Sequence, residues 1–288
     1  MGGFRSSWAA ALAAAWLAPV PAAALPPPPS WFAGTLWFST GVDWSTGSYG
    51  ASPDTEILFV PTQLAYRWER FPVTPTPLDE LELRLTIPYL RADGPGFIID
   101  GVPMVTPVIE TGVRDGIGDV VLEATWRLLP EVGSMLPMFE VGGRVKFPTA
   151  DRDNGLGTGE FDTGVQAGLA KSFSLHSILG HEGVGPISLF AHAGYRILGD
   201  SPEFSLRDGP FTSGGMSLRI AERYGIGISY DWRRSATAIT EDIQELVPFG
   251  WAVVGRRFRV GPYGVVGFSN GSPDFGVGLQ FSVFVRVP

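Results

Sequence analysis

Apolar and polar residues alternate with a period of two along several segments of the chain. The clearest segments are Leu81–Tyr89, Asp119–Leu128, Phe139–Phe147, Ile226–Arg233 and Phe275–Val287. Successive side chains of a β-strand point to opposite faces, so each segment predicts a strand with one apolar and one polar face. No stretch after residue 30 keeps a helical period. The pattern therefore predicts an all-β protein.

The length of these segments and the position of their aromatic residues favour a membrane barrel over a soluble sandwich. A tilted strand needs about 9–11 residues to cross a bilayer, whereas soluble strands usually have about 5–6. Phe139 and Phe147 share the apolar face and lie at the two ends of their segment, as interfacial aromatic girdles require. An open sheet would leave edge N–H and C=O groups unsatisfied in lipid. We therefore expect one closed antiparallel transmembrane β-barrel.

About twelve strands can be counted, an even number as closed bacterial barrels require. Long connections at 41–54, 91–117, 148–160 and 198–210 are typical of external loops, and shorter ones such as 221–225 and 258–261 are typical of periplasmic turns. Both ends of the barrel sequence would then lie in the periplasm. The predicted strands are approximately 32–40, 55–68, 80–90, 118–129, 137–147, 161–173, 186–197, 211–221, 224–234, 246–257, 262–269 and 274–287.

The first residues have the features of a secretory signal peptide. Arg5 supplies a positive charge, Trp8–Val20 is apolar, and Ala22–Ala24 fits a cleavage site with cutting after Ala24. We predict a signal peptide at 1–24, a Pro-rich segment at 25–31 and the barrel at 32–288. Export to the outer membrane of a Gram-negative-type bacterium would make periplasmic chaperones, the barrel-assembly machinery and outer-membrane lipid its partners.

Composition narrows the possible functions. The chain has 38 glycines and 25 prolines, which suits an all-β protein with many tight turns. Its net charge of −8 argues against a nucleic-acid partner, since binding phosphates requires a basic face. Cysteine is absent, which excludes disulfides and thiolate metal sites.

Two neighbouring parts of the chain carry a family resemblance. One is Gly116-Ile-Gly-Asp119 followed by Trp126-Arg-Leu-Leu-Pro130; the other is Val145-Lys-Phe-Pro-Thr149 followed by Gly155-Leu-Gly-Thr-Gly159 and Phe161-Asp-Thr-Gly164. Together they resemble the outer-membrane β-barrel family named for the meta-pathway of phenol degradation. The resemblance is specific over 112–173. It implies a transporter of small aromatic or other hydrophobic solutes.

No pattern in the sequence predicts an enzyme, a cofactor or a metal site. The chain has no G-x-S-x-G nucleophile motif. His176 and His181 fall in a predicted periplasmic connection, and His192 falls on a strand with its side chain toward the lumen. The segment 151–155 departs from a calcium loop, because Leu156 and Asp162 stand where the EF-hand needs glycine and glutamate.

Charged residues on the predicted inner face are the candidate functional residues. They could form a polar constriction that selects solutes, or a salt-bridged network that fills a non-conducting structural barrel. Both interpretations remain open at this point. A short turn near Gly133 would place Arg127 opposite Glu140 and Glu123 opposite Arg144. The candidates are Glu82, Arg84, Asp119, Glu123, Arg127, Glu140, Arg144, Lys146, Asp162, Arg196, Arg219, Asp231 and Arg233.

Overall fold

The computed structural model describes most of the predicted barrel. The predicted signal peptide (1–24), the Pro-rich segment (25–31), His176 and His181 lie outside the described residues. No helix among the described residues is long and apolar enough to cross a membrane. The described ranges are 34–68, 79–99, 102–104, 112–130, 134–174, 184–202, 204–220 and 223–287.

Fifteen strands make up the described secondary structure. Most are long and amphipathic, and three short ones follow β3. They are β1 (Gly34–Gly47), β2 (Thr55–Trp68), β3 (Asp79–Asp93), β4 (Phe97–Ile99), β5 (Val102–Met104), β6 (Val113–Ile117), β7 (Val120–Leu128), β8 (Met138–Phe147), β9 (Asp162–Phe173), β10 (Val184–Ile197), β11 (Gly209–Ile220), β12 (Tyr224–Arg233), β13 (Ile243–Val254), β14 (Phe258–Gly267) and β15 (Phe275–Val287).

The long strands close into a barrel of 12 antiparallel strands, which confirms the predicted fold class. Closure is made by β1, which pairs with β2 on one side and with β15 on the other. The short strand β6 continues the pairing with β3 beyond the start of β7. The strands β4 and β5 form a separate hairpin. Each of the twelve long strands is therefore paired on both sides, as a barrel in lipid requires.

Three predicted boundaries are wrong. The first strand extends to Gly47 rather than ending near residue 40. The turn between β13 and β14 is Gly255–Arg257 and not 258–261, and Gly255 adopts a left-handed φ of 67° that suits glycine. The connection 91–117 is not one long loop, since it holds the end of β3 and the strands β4 to β6.

The two ends of the barrel differ in their connections. We call the end where β1 begins and β15 finishes the short-turn end, because turns such as 255–257 lie there. The opposite end, with the connections 94–119, 148–161 and 198–208, is the loop-rich end. Exposed aromatic residues face outward near both ends, as girdles at two membrane interfaces do. They are Tyr89, Phe161, Tyr195, Phe268 and Phe275 at the loop-rich end, and Phe139, Phe173, Tyr224 and Phe258 at the short-turn end.

Inside the barrel, bulky rings lie against glycines on the neighbouring strand. Phe249 faces Gly227 and Trp251 faces Gly225, in direct register between β12 and β13. A Cβ atom on either glycine would collide with the facing ring. Only glycine therefore lets these rings lie flat against the barrel wall. The same arrangement joins Phe190 to Gly215, Tyr263 to Gly278, Phe211 to Gly194 and His192 to Gly168.

The main apolar core lies inside the barrel at the loop-rich end. The hairpin strand β4 inserts Phe97, Ile98 and Ile99, all at 7% exposure or less, and Phe97 packs against Phe204 with ring centroids 5.1 Å apart. The amide of Ile98 donates to the Gly155 carbonyl at 2.9 Å. We call this cluster the apolar cap. Its buried members are Tyr49, Ile57, Phe59, Leu90, Ala92, Phe97, Ile98, Ile99, Ala150, Leu156, Leu198, Ala236, Ile243, Val247 and Val265.

Candidate functional site in the barrel lumen

A chain of alternating acidic and basic side chains crosses the inner wall from β2 to β10. Arg67 Nη2 lies 2.8 Å from Glu82 Oε2, and Arg127 Nη1 lies 3.1 Å from the same oxygen. Arg127 Nε lies 3.2 Å from Glu140 Oε2, and His192 Nε2 lies 2.9 Å from Glu140 Oε1. We call these five residues the charge belt. Each charge has a partner within hydrogen-bond distance, which offsets the cost of burying it.

The belt follows from strand register. Opposite residues of β7 and β8 include Arg127 with Glu140 and Glu123 with Arg144, the pairing that the sequence predicts. The acid Glu123 also lies 3.9 Å from Arg84 on β3, and Arg84 in turn lies 2.5 Å from Glu82. The alternating patterns of β3, β7 and β8 thus form a connected network, because the register places their charged residues side by side.

A second ionic group lies nearer the loop-rich end. Lys146 Nζ lies 3.2 Å from Asp119 Oδ2 and 2.6 Å from Asp162 Oδ2, and all three residues are at 3% exposure or less. The other oxygens of the two acids accept from loop amides: Asp119 Oδ1 from Ala150 N and Asp162 Oδ1 from Gly199 N, each at 2.9 Å. We call this group the lysine anchor. It attaches two long loops to the barrel wall.

The remaining sequence candidates lie on β10 to β12. Arg196, Asp231 and Arg233 are buried and face inward. Arg196 Nη2 donates to the Arg234 carbonyl at 2.6 Å, and Asp231 Oδ2 accepts from Ser229 Oγ at 3.1 Å. Arg219 is half-buried on β11, near the short-turn end.

Sequence reasoning missed several residues of the inner face. Arg67 belongs to the charge belt, although its strand was predicted. At the short-turn mouth, the Arg259 guanidinium lies 5.0 Å from the Trp37 ring centroid and 5.8 Å from that of Phe284. Arg67 and Arg259 lie at inward positions of β2 and β14. The alternation of inward and outward residues along these strands could therefore have identified both arginines.

The loop that superficially resembles a calcium site is held by its own side chains. Asn154 Nδ2 donates to Asp151 Oδ2 at 2.8 Å, and the amide of Asn154 donates to Asp151 Oδ1 at 3.2 Å. This is the local turn bonding typical of Asx residues. Among the residues that the structure describes, no group of three or more potential ligands could hold a metal ion.

Comparisons with known proteins reveal the fold but not a family. No protein-family model and no curated protein sequence matches the chain. Among solved structures, the COG4313 outer membrane channel from Pseudomonas putida F1 is similar with a TM-score of 0.62 and 14% identity, covering 93% of this chain and 100% of that one. The translocator domain of the autotransporter NalP from Neisseria meningitidis has a TM-score of 0.50 and 10% identity, covering 88% of each chain.

The fold and the lumen together define the class of protein. The chain is a closed antiparallel β-barrel of the outer-membrane, porin-like type, with an apolar outer face, a charged inner face and inward-folded loops. The resemblance to the meta-pathway family over 112–173 stays a prediction.

Proposed function

We propose that the protein is a narrow, passive outer-membrane channel for small aromatic or hydrophobic solutes. The observation that carries this proposal is the apolar cap, in which loops and strand ends bring apolar side chains into the lumen of a barrel whose inner wall is otherwise polar. An apolar solute can partition into such a cluster, whereas a hydrated ion would lose its water there. The similar Pseudomonas putida protein bears the name of a channel, and the family resemblance suggests the same solute class.

A second candidate function is a non-conducting structural or surface-interaction barrel. The tight burial of the cap favours it, because Leu90, Leu156 and Val265 are at 0% exposure. The paired charge belt also fits a filled interior. In that case the loops at the loop-rich end would carry the function.

We infer that the chain reaches the outer membrane after cleavage behind Ala24, with help from periplasmic chaperones and the barrel-assembly machinery. N-terminal sequencing of exported protein should find Leu25 first, and a retained Met1 would contradict this. We propose that the protein has no catalytic activity and binds no cofactor. We propose a small-molecule solute as the ligand of the lumen.

Planar-bilayer recording on the purified mature protein tests the channel. Leu156→Ser should loosen the cap and raise the open probability, because it places a hydroxyl among apolar side chains and leaves a cavity. Ile239→Ser is the matched control, since Ile239 lies in a neighbouring loop at 69% exposure. No current from wild type or the Leu156 variant, with both folded, would reject the channel in favour of the structural barrel.

A further inference from the structure

Exposed charges are segregated by the two ends of the barrel. Among the described residues, the exposed charged side chains at the short-turn end are Arg223, Arg256, Arg257 and Arg286. At the loop-rich end, the described residues include one exposed arginine, Arg91, and many exposed acids. These exposed acids are Asp54, Glu56, Asp93, Asp115, Asp151, Asp153, Asp200, Glu241 and Asp274. In a chain with a net charge of −8, the exposed charges that the structure describes at the short-turn end are thus all positive.

The backbone brings these arginines onto one side of the barrel. The turn between β13 and β14 contains Arg256 and Arg257 in sequence. The amide of Val253 donates to the Arg223 carbonyl at 2.8 Å, and the amide of Phe284 donates to the Arg257 carbonyl at 3.2 Å. The turn before β12, the turn before β14 and the end of β15 are therefore neighbours. We call Arg223, Arg256 and Arg257 the basic rim.

Outward-facing aromatic residues set the depth of the basic rim in a membrane. Tyr224 directly follows Arg223, and Phe258 directly follows Arg257; their exposures are 56% and 59%. Aromatic rings on the lipid face mark the boundary between hydrocarbon and headgroups. The turn at 255–257 has three residues, too few to extend far from that boundary. The guanidinium groups of the rim are consequently placed at the level of the headgroups.

We propose that the basic rim binds the headgroups of anionic phospholipids in the leaflet at the short-turn end. The inference rests on the proposed outer-membrane placement and not on conduction. Guanidinium groups bind phosphate oxygens through charge-assisted, bidentate hydrogen bonds, and neighbouring arginines add their attraction to an anionic lipid. The rim would fix the depth and orientation of the barrel.

The test titrates detergent-solubilised mature protein with short-chain phosphatidylglycerol, using calorimetry below the micellar concentration of that lipid. Phosphatidylcholine of the same chain length and inorganic phosphate are the comparison ligands. We expect phosphatidylglycerol to bind, phosphatidylcholine to bind much more weakly, and added salt to weaken the binding. Arg256→Gln with Arg257→Gln should reduce the affinity for phosphatidylglycerol about tenfold. Arg91→Gln is the matched control, because Arg91 is exposed on the lipid-facing side of the loop-rich end.

Several outcomes would overturn the proposal. Equal affinity for both lipids, an equal loss in the Arg91 variant, or no loss in the double variant would show that the rim does not select anionic lipid. Displacement by inorganic phosphate at the same concentration would indicate a site for soluble anions instead. Conductance of the same preparations separates this inference from the channel function. Heat-modifiable gel mobility shows whether each variant has folded as a barrel.

Discussion

At the scale of single residues, the alternating pattern fixes which side chains face inward but not how they pack. The sequence predicts that Glu140 and Arg144 share a face, and the structure places both inside. The contact between Phe249 and Gly227 could not be predicted. It depends on the register between β12 and β13, which the sequence pattern did not specify. A glycine adds nothing to the alternation of apolar and polar residues. Its role in accepting a ring is therefore visible only when the facing residue on the next strand is known.

The packing of aromatic rings against glycines can be tested at Gly227. Gly227→Ala should lower the free energy of unfolding by about 1–3 kcal/mol, because its Cβ would overlap the Phe249 ring and lie 2.7 Å from the Met216 carbonyl oxygen. Gly250→Ala is the control, since its Cβ would meet no atom closer than 3.5 Å. Urea unfolding in detergent measures both. Equal effects would show that general strand propensity, and not ring packing, decides the cost.

At the scale of elements, connection length separates what could be predicted from what could not. The connection between β7 and β8 spans 129–137, and the assumption of a turn near Gly133 was enough to predict that Arg127 lies opposite Glu140. The connection between β3 and β7 is longer, and its hairpin of β4 and β5 folds into the lumen. The apolar residues of 97–99 showed no alternation, because every side of that hairpin strand is buried.

The lysine anchor allows a prediction about loops. Lys146→Met should destabilise the protein by about 3–5 kcal/mol, because Asp119 and Asp162 would stay buried without their shared cation. The loops 148–161 and 198–208 should become more sensitive to protease. In the control Lys171→Met the loss of stability should be smaller, about 1–2 kcal/mol, since Lys171 is half-buried, has no buried acid as its partner, and donates to the carbonyls of Ser134 and Leu136, the latter at 2.9 Å. Unchanged proteolysis with lost stability would show that the anchor does not hold the loops.

At the scale of the whole molecule, closure of the barrel gathers residues distant in sequence into one lumen. β1 and β15 pair along their full length, and Tyr263 donates to Asp43 Oδ2 at 2.7 Å. Closure could be predicted, because lipid leaves no alternative to a closed sheet. The strand number could be predicted by counting the segments that alternate. The way the loops fill the lumen could not, since no periodic pattern specifies contacts among irregular segments.

The same closure makes the charge belt testable as a filter. Replacing Glu140 of the belt and Glu123, which adjoins the belt through Arg84, by Gln removes two acids from the inner wall. Glu140 contacts both Arg127 and His192. In a conducting barrel the remaining cations should shift the reversal potential toward anion preference. The control replaces Glu56 and Glu241, exposed acids at the loop-rich end, by Gln, which changes the net charge equally. A shift of equal size in both variants, or in neither, would reject the belt as a filter. Lower stability of the belt variant without any current would instead support the structural barrel, because Arg127 would then be buried with one acidic partner fewer.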